Sequence, residues 1–115
     1  MPRDTRLWVA DVLEACERIR AYVADNDFDA FMVDTRTSDA VLRNLEIVGE
    51  AVKKLPPELL AQAPHVPWSD VAGFRDILAH AHFRVDLSLV WDIVQHELPA
   101  LEEAARQLGA IDDES

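Results

Sequence analysis

Several residue types are scarce in this sequence, and each shortage closes off a class of protein. There is one cysteine, Cys16, in 115 residues, so no disulfide framework can staple the chain and a reducing cytoplasm is its natural home. Glycine occurs three times, with no Gly-rich phosphate loop, Ser/His/Asp order or Cys-pair motif. Lys and Arg number 11 against 22 Asp and Glu, a net charge of −11. That balance argues against a protein that coats nucleic acid through a broad basic face, but not against one that grips a short segment in a local pocket. The opening Met-Pro-Arg-Asp-Thr-Arg runs into an amphipathic pattern broken by charges every few residues. It is neither a signal peptide nor a membrane span. Internal repeats and low-complexity tracts are absent.

What is present favours helix. Half of the residues are apolar, and Ala, Leu, Val, Glu and Arg dominate. The length suits one domain spanning residues 1–115 with a core of its own. A first helix is expected from about Asp4 to about Ala24, with Trp8, Val12, Cys16, Ile19 and Val23 on one face and Val9 and Leu13 widening the stripe. Asp25-Asn26-Asp27 breaks it, because short polar side chains compete for backbone hydrogen bonds. Phe28, Phe31 and Met32 suggest a helical turn that covers one end of the core. Thr37, Ser38 and Asp39 are N-cap candidates for a helix carrying Val41, Leu45, Val48, Val52 and Leu55 and ending at Pro56-Pro57. Within it Gly49 reads as a point of close helix approach or as a backbone site for ligand.

Residues 56–67 form a connector with a helical turn or two over Glu58–Gln62, and Pro67 is placed to open the next helix. That helix points Trp68, Val71, Phe74 and Leu78 inward. Asp86 is the expected N-cap of the last helix, whose stripe is Leu87, Val90, Trp91, Val94, Leu98 and Leu101. Pro99 should kink it, and Asp112-Asp113-Glu114-Ser115 reads as a frayed tail. Four main helices with short connections make an all-α, antiparallel four-helix bundle.

The chemistry concentrates in Gly73-Phe74-Arg75-Asp76-Ile77-Leu78-Ala79-His80-Ala81-His82-Phe83-Arg84. Asp76 and His80 are four apart and share a helix face, so the carboxylate can orient the imidazole and stabilise its charged form. Arg75 and His82 are seven apart and also share a face if the helix persists. Arg75 and His80 are five apart, about 140° around a continuous helix. They converge on one substrate only if the helix ends near His80 or if two copies of the chain meet there. RNA cleavage suits this set, because the 2′-hydroxyl of RNA supplies the nucleophile. Histidine then moves protons while arginine holds the phosphate through its planar fork of donors. His82 and Arg84 are the candidate substrate-binding residues. The bland alternative is a surface ion pair and two histidines at a helix end. A zinc or nickel site at His80-x-His82 would need further ligands, for which His65 and His96 offer no recognisable spacing. No cofactor or metal is expected.

Taken in order, these residues are similar to a known pattern. Asp39-Ala-Val-Leu-Arg-Asn-Leu-Glu-Ile-Val-Gly-Glu-Ala-Val, Pro67-Trp68, Gly73-Phe-Arg-Asp-Ile-Leu-Ala-His80, Val85-Asp-Leu through Val90-Trp91, and Leu98-Pro99-Ala-Leu101 resemble the HepT-like family of the HEPN superfamily over about two thirds of the chain. The resemblance implies a helical bundle that forms a homodimer and brings two Arg-x-x-x-x-His motifs into one cleft. It also implies a metal-independent endoribonuclease acting as the toxin of a toxin–antitoxin pair, its partner a minimal nucleotidyltransferase of the MntA-like kind. On the matching positions Arg75 and His80 are the catalytic pair and Asp76 the polar residue after the arginine. Gly49-Glu50 matches a segment that packs near the site, where Glu50 could equally be a helix-packing carboxylate.

One position departs from the pattern. The family motif continues His-x-Tyr, and the tyrosine place is taken by His82. That tyrosine accepts AMP groups from the nucleotidyltransferase in such systems, and His82 has no phenolic hydroxyl. Tyr22, the single tyrosine, lies in the first helix. The competing expectation is a non-catalytic binding subunit of a nucleotidyltransferase complex, which the acidic charge suits at least as well.

Overall fold

The computed structural model describes the backbone over residues 2–80 and 86–113 and the side chains over residues 2–74 and 86–110. The elements are α1 (Arg3–Val23), α2 (Phe28–Val33), α3 (Thr35–Lys54), α4 (Pro57–Leu60), α5 (Trp68–His80), α6 (Leu87–Asp92), a π-helical turn (Ile93–Glu97) and α7 (Leu98–Asp113). No strand occurs among the described residues. The all-α expectation holds, and α1, α3, α5 and the α6–α7 rod are the four members of the bundle.

The apolar periodicity of α1 becomes its buried face: Val9, Val12, Ala15, Cys16, Ile19 and Val23 are buried. α1 packs on α3 and α7, and α3 packs on α5. Two contacts fix the sense of α1 against α7. Val9 Cγ1 lies 3.6 Å from where a Cβ on Gly109 would stand, and Arg20 meets Glu102 at 2.7 Å. Numbers rise along one helix as they fall along the other, so the pair is antiparallel. At the far side Lys54, on the last turn of α3, sits 4.2 Å over the Trp8 ring near the start of α1, which sets those two antiparallel as well.

α3 begins earlier than its sequence suggests. Its N-cap is Asp34, not Thr37, Ser38 or Asp39. The Asp34 carboxylate accepts from Thr37 N–H at 3.1 Å and from the Thr37 hydroxyl at 2.7 Å, so Thr37 serves as the partner of the cap. The helix stops at Lys54 because Leu55 precedes Pro56 and is held extended, with φ −78° and ψ 139°. Val41, Leu45, Val48, Val52 and Leu55 are all buried, and Gly49 is buried among them.

α2 closes one end, as expected, through Phe31, which is fully buried against Trp91. Phe28 and Met32 stay partly exposed, so Phe31 alone is the plug. Asp27 caps this helix through the Ala30 N–H at 2.8 Å.

Asp86 caps α6 as its position implies, accepting from Ser88 N–H, Leu89 N–H and the Ser88 hydroxyl at 3.1, 3.2 and 2.6 Å. Val90, Val94, Leu98 and Leu101 are buried, and Leu87 and Trp91 pack against them. Ahead of Pro99 the rod changes register over Ile93–Glu97 and Leu98 N–H bonds to the Ile93 carbonyl, five residues back. Proline lacks an N–H and crowds the carbonyl four residues before it. A π turn relieves that conflict without ending the helix. α7 is helical through Asp113, so Asp112 and Asp113 belong to it.

Candidate active site

α5 is the helix that carries the motif. Its start is anchored by Trp68, whose indole N–H donates to the Ala63 carbonyl at 2.9 Å, and by Val71 N–H donating to the Pro67 carbonyl at 3.1 Å. Val71 is buried, and Trp68 and Phe74 pack on the core. Pro67 thus stands just before the first helical residue. The inward stripe is observed at these three positions, and the Leu78 side chain lies outside the described residues.

The α5 backbone is unbroken from Trp68 to His80, so Arg75, Asp76 and His80 stand on its last turns. By helical period Asp76 and His80 are about 40° apart around the axis, and Arg75 and His80 about 140° apart and about 7.5 Å apart along it. The side chains of these three lie outside the described residues, as do His82 and Arg84 altogether. Gly73 has nothing within 4 Å of where its Cβ would be, among the described residues.

Glu50 is half-exposed on α3 and pairs with Lys54 at 3.8 Å. It lines a small pocket with Trp8 and Asp11 of α1. Tyr22 is exposed on α1. His65 is in the connector and His96 in the π turn. Among the described residues no group of three or more His, Cys, Asp or Glu is placed to hold a metal ion. No helix among the described residues is long and apolar enough to cross a membrane.

Two features were not anticipated. The first is a charged cluster: Glu102, only 5 % exposed, receives Arg20 through Nε at 2.8 Å and through a terminal nitrogen at 2.7 Å, and Arg106 at 3.2 Å. The pairing raises the pKa of Arg20, mainly through the Glu102 hydrogen bond. The sequence signal is Glu102 itself, four residues after buried Leu98 and so on the apolar stripe. Beneath it Cys16 is wholly buried, and desolvation followed by the Glu102 charge pushes its thiol up to about 12. A thiol held neutral in this way is inert.

The second is a cavity of about 260 Å³ between α3, the first turns of α5, and the π turn with α7. Phe74, the residue before Arg75, lines it. Buried Leu45, Val71, Leu98 and Leu101 make its floor, and exposed His65, Asp70 and Glu97 stand at its mouth.

The family model described as "Ribonuclease HepT-like" matches residues 12–108. A protein of Methanocaldococcus jannaschii with a provisional RNase name is 38% identical over 120 residues, covering 100% of this chain and 99% of its own. A Thermococcus cleftensis protein provisionally named ribonuclease HepT is 37% identical over 102 residues, covering 89% of this chain and 93% of its own. A longer M. jannaschii protein, named for gamma-glutamylcyclotransferase and provisionally RNase, is 40% identical over 103 residues. The match takes in 90% of this chain but only 46% of that relative, so this chain spans about half of its length. No solved structure matches significantly.

Proposed function

This chain belongs to the HepT-like ribonuclease family, and from that premise we propose that it is a metal-independent endoribonuclease working at a homodimer cleft. The match over residues 12–108, which contains the whole of Arg75–His80, carries the reading. α5 is described as far as His80, and with Arg75 and His80 about 140° apart around it, a second copy is one way to bring both kinds of group to one phosphate.

The chemistry asks little of the protein. A base removes the proton of the RNA 2′-hydroxyl, the 2′-oxygen forms a bond to the adjacent phosphorus, and the bond from phosphorus to the 5′-oxygen breaks. An acid protonates that leaving oxygen, giving a 2′,3′-cyclic phosphate and a 5′-hydroxyl. His80 supplies the proton transfer, Asp76 orients it from the preceding turn, and Arg75 neutralises the charge that builds on phosphate. His82 and Arg84 hold the flanking backbone. In the cell the activity is that of a toxin paired with a minimal nucleotidyltransferase antitoxin, and the chain works in the cytoplasm. Because His82 replaces the tyrosine that would accept AMP, three outcomes are open: silencing by binding, modification elsewhere, or a diverged member that needs no silencing.

A second reading follows from the charge of −11: a non-catalytic subunit using the same cleft to bind the nucleotidyltransferase. Purified wild type, Arg75→Ala and His80→Ala incubated with mixed RNAs in EDTA separate the two. Cleavage by wild type alone supports the enzyme. Folded, dimeric wild type that leaves every RNA intact transfers the weight to the binding subunit.

A further inference from the structure

We propose that the cavity beside α5 is a binding site for a small organic cation, a protonated amine carried on an apolar body. Its floor is apolar, and at about 260 Å³ it lies just below the usual range of small-ligand sites, which starts at roughly 300 Å³. An apolar group entering it would leave water on several sides.

The mouth sets the sign of the charge. Asp70 stands on α5 and Glu97 on the π turn, on facing walls. Among the described residues neither carboxylate has an ion pair or hydrogen bond to a cationic group. Two carboxylates at the entrance of a low-dielectric pocket, neither paired with a cation among the described residues, attract a cation and disfavour phosphate or carboxylate ligands. A site built from acceptors over an apolar floor fits an ammonium group and its hydrocarbon body. The same charges disfavour a phosphodiester, so the site is separate from the RNA chemistry and does not rest on the ribonuclease reading. Its ligand would lie against Phe74, next to Arg75.

The test is a protein-observed NMR titration with phenethylammonium chloride and, in parallel, the neutral isostere 2-phenylethanol at matched ionic strength. The expected result is saturable shifts confined to the backbone amides of about residues 65–74 and 93–101, with the alcohol at least tenfold weaker. Glu97→Gln and Asp70→Asn each weaken the ammonium about threefold or more and together about tenfold, with unchanged circular dichroism because both side chains are exposed. Glu97→Gln lies outside the first turn of α5 and so reads the charge without touching that helix start. Equal affinity for ammonium and alcohol, wild-type affinity in the double variant, shifts elsewhere on the protein, or no saturable shift each overturn the proposal.

Discussion

Phe31→Ala probes how the bundle is closed at one end. Phe31 has no solvent exposure, and its ring centroid is 5.2 Å from that of Trp91 at a 42° tilt. It belongs to a helix of six residues, too short to persist by itself, so α2 stays in place through what Phe31 buries. Removing a buried phenylalanine ring costs about 3–5 kcal/mol, less where neighbours can settle into the void. A short helix at the edge of the core can settle partly, which puts this site near the lower end, about 3–4 kcal/mol. For 115 residues the unfolding entropy is about 0.24 kcal/mol/K, at roughly 2.1 cal/mol/K per residue, so Tm should fall by roughly 12–17 °C. Phe28 provides the control. It meets the same Trp91 edge-on at 6.4 Å but is 43% exposed, so Phe28→Ala should cost less than half as much. Thermal melts by far-ultraviolet circular dichroism give both numbers, and tryptophan emission reports the change around Trp91. A drop below about 4 °C for Phe31→Ala, roughly 1 kcal/mol, or equal drops for the two variants, would refute the plug.

Other consequences are as specific. Hydrogen bonds from Ser88 and from the Leu89 and Ser88 backbone hold the Asp86 carboxyl below the usual carboxylate range. A depressed carboxylate stabilises the fold above its unfolded pKa and loses that contribution as pH falls through its folded one. Asp86→Ala should therefore lower Tm at neutral pH, and the gap to wild type should shrink in melts taken progressively below the ordinary value of 3.8; a gap that is constant with pH would contradict the cap. Cys16 should resist a thiol reagent in the native protein and react at the free-thiol rate in guanidinium, whereas native reactivity within minutes would mean the α1 core opens readily. If Arg75 and His80 act across two chains, mixing inactive Arg75→Ala with inactive His80→Ala should restore part of the cleavage, and an inactive mixture of demonstrated heterodimers would place both residues of a working pair in one copy.

Much of this fold is legible from spacing alone, because a stripe at helical period has only one way to be buried. Val90, Val94, Leu98 and Leu101 show it most directly, and the Asp86 cap and the stop before Pro56 follow from local chemistry. The start of α3 is less legible because Asp34, Thr37, Ser38 and Asp39 can all cap. Choosing among them depends on the extended backbone at Asp34 and on Thr37 supplying two donors to it, which spacing does not encode. Pro99 announces a disturbance but not its form, since a kink, a break and a π turn all relieve the same clash. Met32 has the apolarity of a core residue, yet α2 turns it partly to solvent once Phe31 takes the interior place. For the site, the order of motifs points to Arg75 and His80. Glu102 and the cavity emerge only when α1, α5 and α7 are brought together.

The most direct measurement follows one short RNA, and the same strand with 2′-deoxy residues throughout, incubated with purified wild-type protein in EDTA. If the 2′-oxygen is the nucleophile, as proposed, the RNA is cut to fragments ending in 2′,3′-cyclic phosphate while the deoxy strand stays whole. Cleavage of the deoxy strand, or loss of RNA cleavage in EDTA with recovery on adding a divalent metal, would contradict it.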